Sequence, residues 1–278
     1  MTRTLSLGYS PCPNDTYIFH ALTHGLIPLP GLQVTERLED VETLNRLALN
    51  ATLDLTKISY HAFGHLRDNY LLLRSGGALG RGCGPLVIAP TACDMAQLRG
   101  KRIAIPGELT TANLLLQLYG AGYDNLLITS FEQIMPALQR GEAEAGVIIH
   151  ESRFTFAQAG FHELLDLGAW WEEETGLPIP LGGILARRDL GAETIRQIEQ
   201  AIRASLEYAQ QQPQACRAYI HSHAQELDDA VIDAHIKLYV NDFSLDLGDE
   251  GVAAVEVLLA RAEARGLIPK CDKGLFVD

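Results

Sequence analysis

The sequence lacks the long apolar runs that would hold the protein in a membrane. No segment reaches the roughly 18 consecutive apolar residues of a transmembrane helix. The first residues contain no apolar stretch behind a basic start, and Gly8, Pro11 and Pro13 interrupt them early, so we expect no secretion signal and a cytoplasmic location. With 47% hydrophobic and 21% charged residues in 278 positions, the chain can form one large or two moderate domains.

Basic residues and paired cysteines are also scarce. The chain has 22 Lys and Arg against 35 Asp and Glu, a formal net charge of -13, which argues against a nucleic-acid surface. An anionic ligand would therefore have to be held locally, by helix N-termini and a few placed cations. The five cysteines are widely spaced and contain no CxxC, which predicts free thiols.

What the sequence does contain is an alternation of short apolar runs with longer amphipathic stretches, typical of a mostly parallel sheet covered by helices. Strands are predicted at residues 4–8, 32–38, 53–58, 71–74, 86–89, 102–106, 145–149 and 183–187. Helices are predicted at residues 15–23, 41–49, 59–66, 111–119, 131–140, 192–211, 214–224, 228–240 and 249–265. The pattern predicts an α/β fold with a helical C-terminal part.

The arrangement of these segments predicts two lobes. Residues 87–186 begin and end near β-like segments and contain strands and helices of their own, so we expect them to form a smaller inserted lobe. Residues 1–86 and 187–278 would form a larger, discontinuous lobe. Because the chain would cross twice between the lobes, we expect a hinged cleft between them.

His150 is the lead candidate for a general base. It ends the run GVIIHESRF, in which residues 146–149 are predicted to be a buried strand that leads into a polar segment. Ligands of open α/β sheets bind at the carboxyl ends of strands, and imidazole suits proton transfer near neutral pH. The alternative is a histidine that only caps its own loop. Glu151 is not expected to orient the ring, because neighbours on an extended strand point to opposite faces.

Three segments share one pattern: a predicted strand ends in small polar residues, and a predicted helix begins at those residues. They lie at residues 8–15, 56–59 and 106–111. Taken singly, each is an ordinary helix cap. Taken together, they would bring N–H donors and hydroxyls around one crevice, where a carboxylate or phosphate would bind. Lys57 is the one cation within the three segments, and its alternative is a surface lysine.

Two other groups have competing interpretations. Cys12, between two prolines near a helix start, is either a nucleophile with a depressed thiol pKa or a small packed side chain. His61 and His65 have the i, i+4 spacing of metal ligands, but no HExxH pattern supports a metal site. The glycine-rich stretch at residues 75–85 has neither GxGxxG nor a GK[ST] ending, so a connector between lobes is the preferred interpretation.

Five longer motifs together resemble the 1,4-dihydroxy-6-naphthoate synthases of the futalosine route to menaquinone. They are SPCPNDTYIF at residues 10–19, LEDVETLN at 38–45, RSGGALGRG at 74–82, IIHESRFT at 148–155 and DLGAWWEEETGLPIPLG at 166–182. The resemblance extends over nearly the whole chain. It implies the two-lobed fold of type II periplasmic binding proteins, with mixed sheets flanked by helices and a ligand cleft between the lobes.

The resemblance also implies an activity and a site. The enzyme would act on cyclic dehypoxanthine futalosine, a small anionic substrate, as a carbon-carbon lyase that needs no metal or organic cofactor. The base of the family corresponds to His150. We expect the substrate to be held by Lys57, Ile58, Ser59, Thr110, Thr111, Ser10 and Asn14. The competing hypothesis is a cytoplasmic binding protein or sensor for an aromatic or dicarboxylate ligand. The sequence does not indicate an oligomeric state.

Overall fold

The structure is a computed structural model that describes residues 2–225 and 228–277. Its strands are β1 (Arg3–Tyr9), β2 (Leu32–Leu38), β3 (Leu55–Ser59), β4 (Tyr70–Leu72), β5 (Ala78–Gly80), β6 (Leu86–Ala89), β7 (Ile103–Ile105), β8 (Leu126–Ile128), β9 (Ala145–Ile148), β10 (His162–Asp166) and β11 (Ile179–Arg187). Its α-helices are α1 (Pro13–Thr23), α2 (Val41–Leu49), α3 (Tyr60–Leu66), α4 (Thr111–Tyr119), α5 (Ile134–Gln139), α6 (Ser152–Thr155), α7 (Leu167–Thr175), α8 (Ala192–Gln211), α9 (Arg217–His223), α10 (Asp229–Tyr239), α11 (Asp242–Leu245) and α12 (Gly248–Ala264).

Two mixed sheets form the two lobes. The first has the order β2-β1-β3-β11-β4, with β5 also paired to β11. Within it, β1 runs parallel to β2 and β3, whereas β11 is antiparallel to its partners. The second has the order β10-β6-β9-β7-β8, with β7 parallel to β8 and β9. Since parallel neighbours end at one edge, each sheet presents several carboxyl ends together.

The core of the first lobe depends on one apolar face of α8. Ile195, Ile198, Ile202 and Leu206 recur at spacings of three and four residues and are almost fully buried. This face packs against α1, where the Ser205 hydroxyl donates to the carbonyl oxygen of Ile18 at 2.6 Å. The contact fixes α1, and with it the helix N-terminus that opens toward the cleft.

The predicted elements agree closely with these bounds, and the omissions have a physical cause. The helix at Val41–Leu49 and the strand at Leu86–Ala89 were predicted to the residue. The strands β5 and β8 and the four-residue helices α6 and α11 were missed because they are too short to show a period, and strand β10 was missed as well. Helix α7 was missed because its hydrophobic residues do not form one apolar face. Within the described ranges, each helix is too short or too polar to cross a membrane.

Strand β11 does not fit the predicted bounds of the inserted lobe. Strand β11 pairs with β3, β4 and β5, so Ile179–Arg187 belongs to the first sheet. The prediction had assigned most of this strand to residues 87–186. The division into lobes at those bounds stays a prediction, and we propose that the return crossing lies before Ile179.

Candidate functional site

A cavity of about 720 Å³, including its solvent-open part, lies between the two lobes. Its lining contains every predicted site residue, namely His150, Lys57, Ile58, Ser59, Thr110, Thr111, Ser10 and Asn14. These residues follow or end β1, β3, β7 and β9, whose carboxyl ends face the cleft. The structure thus brings the predicted residues together, while their individual roles stay predictions.

His150 enters this cavity from the end of β9 through an unusual backbone conformation. The strand ends at Ile148, and His150 has a φ of 56°, in the left-handed region that few non-glycine residues adopt. The ring is partly exposed and lies 4.9 Å from the ring of Phe131, measured between centroids. Its Nδ1 atom is 3.6 Å from Sγ of Cys12 in the other lobe. The ring therefore stands where the two lobes meet.

A second histidine, His235 of α10, lies next to the ring of His150. Its ring is stacked on His150 with an interplanar angle of 13° and a centroid separation of 6.1 Å. Nε2 of His235 lies 2.9 Å from Oδ1 of Asn14, and the amide of Asn14 donates to Asp15 at 2.7 Å. Since Oδ1 can only accept, Nε2 of His235 must donate. Burial, then the charges of His150 and Lys57, lower the pKa of His235 well below 6.5, so this ring is neutral.

Sequence reasoning missed His235 because nothing in its helix distinguishes it. It lies in the segment DAVIDAHIKLY, where a histidine on a helix has no local partner that points to function. Its neighbours in space, Asn14 and His150, are 221 and 85 positions away in the sequence. Only the packing of α10 against α1 brings them together.

A buried ion pair forms the floor of the cavity. Nζ of Lys57 lies 2.5 Å from Oδ1 of Asp15, and each side chain is only 6% exposed. The contact does not have hydrogen-bond geometry, and among the described residues Nζ has no hydrogen-bond partner. Asp15 also accepts from the hydroxyl of Ser10 at 2.8 Å. The carboxylate therefore has several donors, while the ammonium is held by charge and has no hydrogen-bond acceptor among the described residues.

The start of α4 supplies donors from the other lobe. Thr110 caps the helix, since its hydroxyl accepts from the amide of Asn113 and donates to the carbonyl oxygen of Gly107. Among the described residues, the backbone N–H groups of Thr111 and Ala112 have no acceptor. Both residues line the cavity. These free N–H groups at a helix start form a site for a negatively charged oxygen.

Hydrogen bonds across the cleft keep the lobes close together. The hydroxyl of Thr111 donates to the carbonyl oxygen of Leu181 at 2.6 Å. Nδ1 of His61 donates to the carbonyl oxygen of Thr110 at 3.3 Å, and Glu42 accepts from the amide of Leu109 at 3.2 Å. Each of these contacts joins one lobe to the other, so the structure shows a closed cleft.

The other candidate groups of the sequence are placed as follows. Burial raises the pKa of the Cys12 thiol well above 9.0, and the nearby Glu151 and Asp15 carboxylates raise it further, which argues against a thiolate nucleophile.

Burial lowers the pKa of His61 to about 4, with a contribution from His65. Because His61 already donates between the lobes, its role here is structural. The glycine-rich segment contains β5 and adds Ala78 to the cavity lining.

A second cavity, of about 520 Å³, begins on the other side of His150. It shares Ser10, Val41 and His150 with the first cavity. Its remaining lining is mainly acidic and polar, from Pro11, Cys12, Glu39, Asp40, Phe131, Glu132, Glu151 and Gln225. An anion would be repelled there, so an anionic ligand belongs in the first cavity.

Comparison with known proteins is consistent with this geometry. A family model described as menaquinone biosynthesis matches residues 5–264. The chain belongs to this family. A 1,4-dihydroxy-6-naphthoate synthase of Thermus thermophilus is 54% identical over 275 residues, covering 99% of this chain and all of the relative. The synthase of Streptomyces coelicolor is 48% identical over 272 residues, covering 96% of this chain and 95% of its own length. The expectation of a menaquinone-biosynthesis enzyme is confirmed.

Solved structures confirm the expected fold. A protein of Archaeoglobus fulgidus superposes with a TM-score of 0.90 at 37% identity, covering 95% of this chain and 98% of its own. An alkanesulfonate-binding protein of Xanthomonas axonopodis superposes with a TM-score of 0.70 at 17% identity, covering 96% and 94%. The second likeness shows the fold alone. This member of the menaquinone-biosynthesis family therefore has the architecture of periplasmic binding proteins.

The buried ion pair predicts unequal costs for its two halves. Asp15→Asn should destabilise the protein by about 3–5 kcal/mol, because it leaves the Lys57 ammonium buried without a counter-charge. Lys57→Met should cost less, because Asp15 keeps the donors of Ser10 and Asn14. Urea denaturation of both variants measures the two free energies of unfolding. Equal costs, or a larger cost for Lys57→Met, would contradict this assignment.

The depressed pKa of His235 predicts a pH-dependent stability. The unfolded chain takes up a proton at this side chain near pH 6.5 and the folded chain does so only at much lower pH, so acid favours unfolding. His235→Gln, which keeps a donor toward Asn14, should reduce the loss of stability below pH 6 by about 1.4 kcal/mol per pH unit. Denaturation curves of both proteins between about pH 5 and 8, a range that spans the unfolded pKa, provide the measurement. Parallel profiles would show that the ring is charged in the folded state.

Proposed function

We propose that the protein is a 1,4-dihydroxy-6-naphthoate synthase that converts cyclic dehypoxanthine futalosine, with His150 as general base. The observation that carries the proposal is the position of the His150 ring, in the cavity between the lobes and among all of the predicted binding residues. The names of the two curated relatives support the product.

In the proposed reaction, a ring nitrogen of His150 takes a proton from the carbon next to an activated carbonyl. The electron pair moves toward the carbonyl oxygen and then returns to break the carbon–carbon bond to the sugar-derived fragment, which leaves with the bonding pair and takes up the proton from His150. Loss of this fragment leaves the aromatic dihydroxynaphthoate. A positioned general base contributes roughly 10²–10⁴-fold to such a step. Aromatisation provides the driving force, so we propose that the reaction needs no metal or organic cofactor.

The ring carboxylate would bind at the start of α4. There the free N–H groups belong to Thr111 and Ala112, which line the cavity, and Lys57 adds a positive charge from the other lobe. In this arrangement Ser10 and Asn14 contribute indirectly, because their side chains donate hydrogen bonds to Asp15 and not to the ligand. They hold Asp15, and through it Lys57, in position.

The closed cleft supports the same chemistry. The hydrogen bonds of Thr111, His61 and Glu42 across the cleft would keep water from the carbanion-like intermediate. The cytoplasmic location and the small anionic substrate remain part of the proposal. A binding protein without chemistry, the competing hypothesis, would hold the same ligand and release it unchanged.

Replacement of the base tests the proposal directly. His150→Gln should lower turnover of cyclic dehypoxanthine futalosine by at least about 10²-fold, because glutamine cannot accept the proton. Naphthoate absorbance measures product formation. His162→Gln changes an exposed histidine of β10 and serves as the matched control, with turnover near that of the unmodified protein. Absence of naphthoate with the unmodified protein would favour the binding hypothesis, and full turnover by His150→Gln would remove the base.

The anion site gives a separate prediction about affinity. Thr111→Val should weaken binding of 1,4-dihydroxy-6-naphthoate by about 2- to 10-fold, since it removes the hydrogen bond to Leu181 that holds the start of α4 at the cleft, and such a bond contributes about 0.5–1.5 kcal/mol. Thr111→Ser keeps the hydroxyl and should bind nearly as the unmodified protein does. Calorimetric titration with the naphthoate measures the affinities. Unchanged affinity in Thr111→Val would place the carboxylate elsewhere in the cavity.

A further inference from the structure

Three potential metal ligands converge where the two cavities meet. One ligand atom each from Cys12, His150 and Glu151 lies within 4.8 Å of the others, and all three residues line the second cavity. The first belongs to one lobe and the other two to the other lobe. Within the described part of the chain, this is the one group of three histidine, cysteine or acidic side chains whose ligand atoms lie that close together.

The carboxylate of Glu151 is the unusual member of this group. The residue is only 9% exposed, and its Oε2 atom is buried with no hydrogen-bond partner among the described residues. A buried carboxylate oxygen without a partner is costly. Its position beside His150 also corrects the earlier expectation that adjacent side chains would point apart. That expectation assumed an extended strand, whereas the φ of 56° at His150 breaks the alternation.

From this arrangement we propose that Cys12, His150 and Glu151 form a binding site for a thiophilic divalent cation of the Zn²⁺ type, and that its occupancy inhibits the enzyme. Sulfur, imidazole nitrogen and carboxylate oxygen are the ligands that Zn²⁺ takes in proteins. The fourth position would face the second cavity and hold water.

The separation of sulfur and nitrogen matches this ion. With Zn–S of about 2.3 Å and Zn–N of about 2.0–2.1 Å at a tetrahedral angle, the two ligand atoms stand about 3.6 Å apart. The distance from Sγ of Cys12 to Nδ1 of His150 is 3.6 Å. The carboxylate of Glu151 has to approach by about 1.4 Å at most, which rotation of a side chain provides.

Inhibition follows from the electrons of the imidazole ring. Neutral imidazole has one lone pair that can accept a proton, and a metal ion at Nδ1 occupies it. Binding also converts the Cys12 thiol to a thiolate and releases its proton to solvent. The metal is thus an inhibitor and not a cofactor of the proposed reaction. Metal binding itself does not depend on the proposed function, whereas the inhibition does.

Cobalt(II) and zinc, each added alone to the purified full chain, test the binding. Co²⁺ should produce the near-ultraviolet absorption of a thiolate–cobalt bond at one equivalent per chain, and Zn²⁺ should displace it. Cys12→Ser should abolish this absorption. Glu151→Gln should keep it but weaken Zn²⁺ binding by about 10-fold or more, as loss of one ligand requires. Cys93→Ser removes a thiol outside the three-residue group and is the matched control, with affinity unchanged.

Two results would overturn the site. One is the absence of saturable thiolate–cobalt absorption in the unmodified protein. The other is an absorption that persists in Cys12→Ser, which would assign it to another thiol. Equal Zn²⁺ affinity in Glu151→Gln would remove the carboxylate from the ligand set and overturn the three-residue site as proposed.

Turnover in the presence of Zn²⁺ tests the inhibition separately. Zn²⁺ at the concentration that saturates the site should suppress naphthoate formation, and a chelator should restore it. Saturation of the site with turnover unchanged would overturn the inhibition while leaving the site. Failure of the proposed function is distinguishable, because a protein without any turnover would still give the cobalt absorption.

Discussion

The buried contact between Lys57 and Asp15 is the constraint on which the rest of the site depends. A charge on either residue alone would be costly at 6% exposure, so each requires the other. The pair joins the end of β3 to the first turn of α1 and thereby fixes both at the cleft. Through Asn14 it reaches His235, and through the stacked ring it reaches His150. A chain of contacts thus leads from the Lys57 ammonium, through its ion pair, to the His150 ring.

The two lobes contribute different chemistry to this arrangement. The first lobe provides the ion pair and the neutral His235, while the second provides His150 and the open N–H groups of α4. Neither lobe alone forms the site. The hydrogen bond from Thr111 to Leu181 shows how tightly the halves meet. In this structure, residues of both lobes line the same cavity.

Proteins with this architecture need not catalyse a reaction, because a fold by itself does not determine function. The alkanesulfonate-binding protein of Xanthomonas axonopodis, at 17% identity, is similar to this chain in fold alone. The chemistry that we propose for the present chain depends on local features. A histidine in the left-handed conformation follows a buried strand, and it lines the space between the lobes. The second, acidic cavity beside it would disfavour a second anion.

Much of this could be read from the sequence, for reasons of local physics. The period of apolar residues located β2, α2 and α8 to the residue, and the small polar residues at three strand ends indicated the lining of the cavity. His150 was found because a buried strand ended at a polar segment. Each of these patterns is local in the sequence, so it can be recognised without knowing which distant residues pack against it.

Tertiary structure alone decided the rest, because the decisive partners are far apart in the chain. His235 carries no local signal, and Glu151 was discounted because the turn at His150 could not be foreseen from its neighbours. Asp15 was placed at a helix start, but its pairing with Lys57 depends on how α1 packs beside β3. Sequence determined which residues face the cleft. Packing determined which of them touch, and contact distances set their charge and chemistry.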